Sequence, residues 1–200
     1  MSTDLSKAET IFRRHVGILR TGQAIAAGIH PRTLYALRDS GRIEALDRGL
    51  YRLTDMPTLG QPDLVVVATK IPAGVICLIS ALSFHELTTQ VPHEVFVALP
   101  KGAERPRLQY PPIRPVWLSG RAYSDGIETV KLDGMSVRVY GISKTLADCF
   151  KFRNRIGLDV CLEALKLARQ LRKLDVDELM KFARICRVEK IVRPYVEAIL

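Results

Sequence analysis

The sequence predicts an α+β protein: an N-terminal winged helix-turn-helix, followed by a mixed α/β C-terminal domain that ends in a helical bundle. Three observations lead to this fold class. Residues 21–53 have the pattern of two short helices, a glycine turn between them, and a two-stranded ribbon. Residues from about 75–140 contain short apolar strands with turn signals, and residues from about 142–200 contain helical apolar stripes. The predicted domains are residues 1–56 and 57–200.

The helix-turn-helix follows from local signals along the chain. Thr21 is a suitable N-cap for the first helix, because its hydroxyl can accept from the free N–H groups of the first turn. Gly28 ends that helix, since glycine adopts a positive φ without strain. Pro31 suits the first turn of the second helix, where its missing N–H is no loss. Leu34 and Leu37 are three residues apart and are predicted to face inward.

The outer face of the second helix and the ribbon then carry the predicted DNA contacts. Arginine and hydroxyl side chains on such a helix can donate to guanine edges and phosphates in the major groove. A three-residue hairpin loop is predicted over Asp47–Gly49, and arginines there would reach phosphate or the minor groove. The predicted DNA-binding residues are Arg32, Thr33, Tyr35, Arg38, Arg48 and Arg52.

Net charge agrees with a polyanionic partner but does not identify one. The chain has 200 residues and a formal net charge of +9, of which +3 lies within residues 1–56. The alternative interpretation is a small helical domain whose arginines are merely solvated, because helix-turn-helix geometry also serves protein contacts. With 48% hydrophobic residues, the chain can form a core, and wholesale disorder is not expected.

The remaining elements are predicted from periodicity and turn residues. Residues 55–62 (DMPTLGQP) are rich in proline and glycine and form the predicted linker. The segment DLVVVATK, residues 63–70, fits a strand by its valines and a helix by its Pro-Asp start, and we favour a helix. The other predicted elements are an opening helix (4–15), strands (75–78, 94–99 and 114–118), a helix that Ser80 caps, and a hairpin (128–140) around Asp133-Gly134.

The C-terminal region is predicted to be helical throughout. Ser143 would cap a helix over 144–154, Gly157 would end it, and further helices would begin near Leu158, at Asp175 and at Pro194. Within the 144–154 region and just beyond it, basic residues recur at spacings of seven and four, with one acid between them. These candidates for contact with a toxin or with DNA are Lys144, Lys151 and Arg155; the alternative is an ordinary solvated helix face.

Cysteine usage and the N-terminus indicate a cytoplasmic protein. The four cysteines are far apart, form no CxxC pair and lie in apolar contexts, so buried free thiols are expected rather than a disulfide or zinc site. The polar start of the chain is unlike a signal peptide, and no apolar run is long enough for a membrane span.

No motif for catalysis, metal or cofactor binding is found. His85-Glu86 lacks the second histidine of a zinc helix, so a hydrogen-bonded structural histidine is favoured. Asp125, Glu128 and Lys131 superficially suggest a nuclease, but solvated loop charges are the better interpretation. The chain is therefore predicted not to be an enzyme and to need no metal or cofactor.

Two long segments resemble a known family. The sequences ICLISALSFHELTTQVP (76–92) and YGISKTLADCFKFRNRIGLDVCLEALK (140–166) are similar to the body of AbiEi-type antitoxins, and GQAIAAGIHPRTLYALRDSGRIEALDRGLYRL is typical of their start. Those proteins are the regulators of abortive-infection, type IV toxin–antitoxin operons. The resemblance extends from about residue 19 to residue 200.

The resemblance implies more than the residues alone do. Members combine a winged-helix autorepressor with a C-terminal domain that counteracts a nucleotidyltransferase toxin, directly or indirectly. They bind inverted repeats in their own promoter, often cooperatively, which implies possible self-association on DNA. The resulting hypothesis is an antitoxin and transcriptional autorepressor. The alternative is a protein-interaction module that neutralises a toxin without specific DNA binding.

Overall fold

The N-terminal part combines three helices with a three-stranded sheet. The computed structural model describes residues 2–199. Its first elements are α1 (Ser2–Arg14), β1 (Ile18–Arg20), α2 (Thr21–Ala26), α3 (Pro31–Asp39), β2 (Ile43–Asp47) and β3 (Leu50–Leu53). β3 is the central strand and is antiparallel to both neighbours. The predicted helices and hairpin are present, whereas the three-residue strand β1 was not predicted because it is too short to show alternation.

The start of α2 differs from its prediction. Thr21 is the first helical residue rather than the N-cap, and the Arg20 N–H donates to Oε1 of Gln23 at 3.0 Å. Thr21 instead contacts the β2–β3 turn, where its N–H donates to the Gly49 carbonyl at 2.9 Å. Because β1 continues directly into α2, pairing of β1 with β3 places Thr21 beside that turn.

The C-terminal part is built on a five-stranded mixed sheet. Its order is β6-β5-β4-β8-β7, with parallel pairs β4–β8 and β5–β6 and antiparallel pairs β4–β5 and β7–β8. The elements up to β8 are α4 (Pro62–Lys70), β4 (Val75–Ile76), α5 (Leu78–Phe84), β5 (Val95–Pro100), β6 (Ile113–Leu118), α6 (Arg121–Ser124), β7 (Ile127–Leu132) and β8 (Met135–Tyr140). The helix favoured for 63–70 is confirmed. Ser80 lies within α5 and does not cap it.

Five helices complete the chain and confirm the predicted helical end. They are α7 (Ile142–Lys151), α8 (Arg153–Ile156), α9 (Leu158–Gln170), α10 (Val176–Ile185) and α11 (Glu189–Ile199). Asp175 caps α10 as predicted, accepting from the Glu178 N–H. Three predictions were wrong. Ser143 lies inside α7, whose N-cap is Gly141. The helix over 144–154 is interrupted at Phe152, and Pro194 lies inside α11 rather than at its start.

Helices cover both faces of the five-stranded sheet. One face packs on the helical bundle through residues such as Phe96, Val116 and Tyr140. The other face packs on α4, where Leu64 and Val67 contact strand residues. This arrangement explains why the inner strands β4 and β5 are buried on both faces rather than alternating, whereas the edge strands β6 and β7 keep exposed residues. In residues 2–199, no helix combines the length and apolar character needed to cross a bilayer.

A shared apolar cluster joins the two parts of the chain. Ile18 and Leu50 of the three-stranded sheet pack with Val65 and Val66 of α4. The predicted linker has no regular secondary structure up to Gln61, and α4 begins at Pro62. The Gly60 N–H of the linker donates to the Asp133 carboxylate at 3.1 Å. α4 therefore lies between the two sheets and is buried along Leu64–Val67, as expected of a helix that is apolar all round.

Candidate nucleic-acid interface

The outer face of α3 presents most of the predicted contacts to solvent. Leu34 and Leu37 are fully buried and hold α3 against α1 and the N-terminal sheet. The His30 ring caps the helix by accepting from the Arg32 N–H at 3.2 Å. On the opposite side Arg32, Tyr35 and Arg38 are exposed and Thr33 is half-buried.

Tyr35 and Arg38 form one amphipathic unit on that face. The Arg38 guanidinium lies 5.0 Å from the centre of the Tyr35 ring, and it pairs with Asp39 at 2.8 Å. The hydrogen bond to Asp39 raises the pKa of Arg38 above its ordinary value. Because both charged groups are exposed, the pair is weakly held and Arg38 can exchange Asp39 for another acceptor.

The turn between β2 and β3 is held by α4. This hairpin tip, Arg48 and Gly49, is shorter than the predicted three-residue loop, because Asp47 pairs with Leu50 after a bulge in β2. Gly49 supplies the positive φ of 68°. Lys70 of α4 pairs with Asp47 at 2.7 Å and donates to the Arg48 carbonyl. The Arg48 side chain is exposed on this fixed turn.

Arg52 is not available for DNA, and this part of the prediction was wrong. Its side chain is buried, with Nη1 2.8 Å from Glu44 and Nη2 donating to the Met56 carbonyl at 2.8 Å and to that of Pro57. The cause is the position of β3: as the central strand of a sheet whose second face is covered, it has all four residues buried. Arg52 therefore ties the hairpin to the linker.

Lys144 also lies away from solvent, contrary to prediction. It is fully buried, pairs with Asp148 one turn along α7, and its Nζ is 4.0 Å from the centre of the Tyr140 ring. The break at Phe152 separates Lys151 from Arg155, so the predicted face on one helix does not exist. Lys151, half-buried, and Arg155, exposed, both lie near the Phe152 ring, at 6.0 and 5.8 Å.

Two of the side chains considered for other chemistry, His85 and Asp125, have structural partners. His85 Nε2 is hydrogen-bonded to the Tyr140 carbonyl at 2.8 Å, which confirms the structural interpretation. Asp125 accepts from Ser124 and Arg121, which lower its pKa. Within the described chain, no group of three or more His, Cys, Asp or Glu side chains is arranged to hold a metal ion.

The cysteines are buried free thiols, as predicted. They are Cys77, Cys149, Cys161 and Cys186. Burial raises the pKa of all four thiols, to about 12 for Cys161 and Cys186. They are therefore protonated and poorly nucleophilic at neutral pH.

Two arginines beside the hairpin tip were missed by sequence reasoning. Arg105 and Arg107, in the loop between β5 and β6, line a cleft of about 640 Å³ together with Arg48. The local sequence ERPRLQ shows two arginines around a proline, but nothing in it indicates proximity to a turn more than fifty residues earlier.

Comparison with known proteins supports part of the sequence-based assignment. Residues 6–54 match the family model described as "Transcriptional regulator, AbiEi antitoxin", so the resemblance is confirmed for this segment. The chain is also similar to a solved structure, "Crystal structure of RV2827C protein from Mycobacterium tuberculosis", with a TM-score of 0.62 and 12% identity over 90% of this chain and 71% of that one. At that identity the likeness concerns the α+β fold alone. No curated protein matches the chain.

Proposed function

We propose that this protein is an antitoxin and DNA-binding autorepressor of a type IV toxin–antitoxin operon, acting against a nucleotidyltransferase toxin. The observation that carries the proposal is the exposed face of α3, with Arg32, Tyr35 and Arg38, inside the segment that matches the AbiEi regulator family. The proposed role is non-enzymatic and needs no cofactor. The proposed operator consists of inverted repeats in its own promoter, occupied by two or more copies.

In this proposal residues 2–53 act as a winged helix-turn-helix. α3 enters the major groove, where Arg32, Thr33, Tyr35 and Arg38 contact base edges and phosphates. The hairpin tip is the wing, and Arg48 contacts the backbone or the minor groove. The fixed attachment of the hairpin tip to α4 through Lys70 supports this role, because a preorganised contact loses little conformational entropy on binding.

The test is an anisotropy titration of the full chain on its own upstream promoter DNA and on scrambled DNA, at two salt concentrations. The proposal predicts tight, operator-preferring binding that weakens with salt. Arg38→Ala should then cost about 1–3 kcal/mol at one base pair if it reads that base. Lys190→Ala, which removes an exposed charge from α11, is the matched control. Equal and weak binding to both DNAs would refute the repressor role.

A protein-interaction module is the second candidate, favoured by the accessible cations Lys151 and Arg155 at the junction of α7 and α8. They would contact an acidic surface of the toxin. Lys151→Glu with Arg155→Glu should abolish toxin neutralisation in cells while operator binding persists. Unchanged neutralisation would rule out this contact.

A further inference from the structure

We infer that the β5–β6 loop, residues 101–112, is a second DNA-contacting element that holds the phosphate backbone beside the hairpin tip. The inference rests on the proposed DNA-binding function and extends the interface into the C-terminal part of the chain. It gives residues outside the helix-turn-helix a direct role in operator affinity.

The loop and the hairpin tip line one cleft. Asp47 and Arg48 of the hairpin and Lys70 of α4 line it together with Arg105, Arg107 and Gln109 of the loop. Leu108, the residue after Arg107, packs against the apolar cluster that joins the two sheets. The same cluster contains Leu50, the residue that follows the hairpin tip. The contact that unites the two halves of the molecule thus also places their arginines together.

The cleft carries uncompensated positive charge. Arg48, Arg105 and Arg107 are exposed, and among the described residues no carboxylate lies within ion-pair distance of them. The carboxylate in the lining, Asp47, is 3% exposed and is bound by Lys70. Glu104 is exposed in the loop but is not part of the cleft lining. An anion entering the cleft would therefore meet three free guanidinium groups.

The loop is held in place before any ligand binds. The Trp117 indole N–H donates to the Ala103 carbonyl at 2.8 Å, and the Lys101 N–H donates to the Leu118 carbonyl at 2.7 Å. Pro106 restricts the backbone between the two arginines.

Duplex DNA is the partner that these features fit. Guanidinium groups bind phosphate oxygens in a bidentate manner and are suited to backbone contacts. In the proposed function, Arg48 contacts the DNA backbone or the minor groove. Arg105 and Arg107 would contact the neighbouring DNA phosphates, on the side away from the bases that α3 reads. Contacts of this kind add affinity without sequence preference.

The experiment compares the full-length wild type with the Arg105→Gln/Arg107→Gln variant on operator and scrambled duplexes over a series of salt concentrations. Each lost phosphate contact reduces the magnitude of the negative slope of log K against log salt by about 0.9, so the slope of the variant should be shallower by about 1.8. Its affinity should fall on both DNAs alike, with operator preference retained. Hydroxyl-radical footprints should shorten at the outer edge of each half-site.

The control is Lys166→Gln/Lys190→Gln, which removes the same charge from exposed positions on α9 and α11 and should retain the wild-type slope. Thermal melting of both variants should match the wild type.

An Arg105→Gln/Arg107→Gln variant with the wild-type slope and footprint would overturn the inference while leaving the proposed function intact. Loss of toxin neutralisation with unchanged DNA binding would also overturn it, and would assign the loop to an acidic protein partner. Absence of salt-dependent binding by the wild type would overturn both proposals.

Discussion

Arg52 and Arg48 show how neighbouring arginines of one hairpin acquire opposite roles. Arg48 is exposed at the hairpin tip, whereas Arg52 is 7% exposed and satisfies two backbone carbonyls of the linker. The difference follows from strand position, because a central strand with both faces covered leaves its side chains no route to solvent. The net charge of the chain does not distinguish the exposed Arg48 from the buried Arg52.

Replacing Arg52 by Ala should therefore destabilise the fold. The substitution would remove the hydrogen bonds that the buried guanidinium makes to Glu44 and to the Met56 and Pro57 carbonyls, and a hydrogen bond of a charged group contributes about 1.5–3 kcal/mol. Urea denaturation measures the loss in the free energy of unfolding of Arg52→Ala. Arg48→Ala is the control, because removing an exposed side chain should leave the stability unchanged. A stable Arg52→Ala protein that has lost DNA affinity would contradict the structural role.

Burial of the thiols gives the protein a pH-dependent stability. Burial raises the pKa of Cys161 to about 12, above the value of about 8.5 for an unfolded thiol. The contribution of this thiol to the free energy of unfolding is therefore fully present below pH 8.5. It is lost as the pH rises towards 12, because between these values the thiol ionises only in the unfolded chain.

The free energy of unfolding should fall by about 1.3 kcal/mol per buried thiol between pH 8 and pH 9.5. Cys161→Ala removes one such contribution, so its loss over this interval should be smaller than that of the wild type by that amount. Denaturant unfolding at the two pH values measures the difference. Identical pH dependence in the two proteins would show that Cys161 ionises equally in the folded state.

At the scale of elements, α5 shows why a capping residue in sequence does not define a helix start. Ser80 has the chemistry of a cap, but its hydroxyl accepts from the Phe96 N–H of β5 at 2.9 Å. That N–H is available because β4 pairs with β5 over only two residues. The Ser80 hydroxyl, on a helix, therefore takes the place of a strand carbonyl as the acceptor for this N–H of β5.

Ser80→Ala should leave the buried Phe96 N–H without a partner and lower stability by about 1–3 kcal/mol. Ser83→Ala, on the exposed side of α5, should be close to neutral. Thermal unfolding followed by circular dichroism compares the two variants. Equal stability of both would mean that another acceptor replaces the hydroxyl.

At the scale of the whole molecule, the apolar cluster on α4 couples the proposed DNA-binding part to the rest of the chain. Leu50 is fully buried against α4, and Leu132 and Met135 of the second sheet pack against the same cluster. The single tryptophan, Trp117, lies in the five-stranded sheet and reports on the C-terminal part alone.

Leu50→Ala should lower stability by about 2–5 kcal/mol and shift the Trp117 fluorescence transition together with the circular dichroism transition. Coincident transitions are expected because the cluster makes unfolding of the two sheets cooperative. A Trp117 transition unchanged from the wild type would show that the parts unfold independently.

The sequence by itself determined the elements whose signals are local. Gly28 and Pro31 mark the turn between α2 and α3, Asp133-Gly134 marks the β7–β8 hairpin, and Asp175 marks the start of α10. These features depend on φ preferences and hydrogen bonds within a few residues, so the local sequence is enough to predict them. The outward placement of Arg38 follows in the same way, from helical periodicity.

Only the tertiary structure decided which charged residues face solvent and which lie together. Arg52 and Lys144 have the same local appearance as exposed cations, but strand order buries one and packing of α7 against its neighbours buries the other. Arg105 and Arg107 gain their relation to Arg48 through α4 and the shared apolar cluster. Burial and proximity depend on contacts between distant segments, and periodicity within one segment carries no information about them.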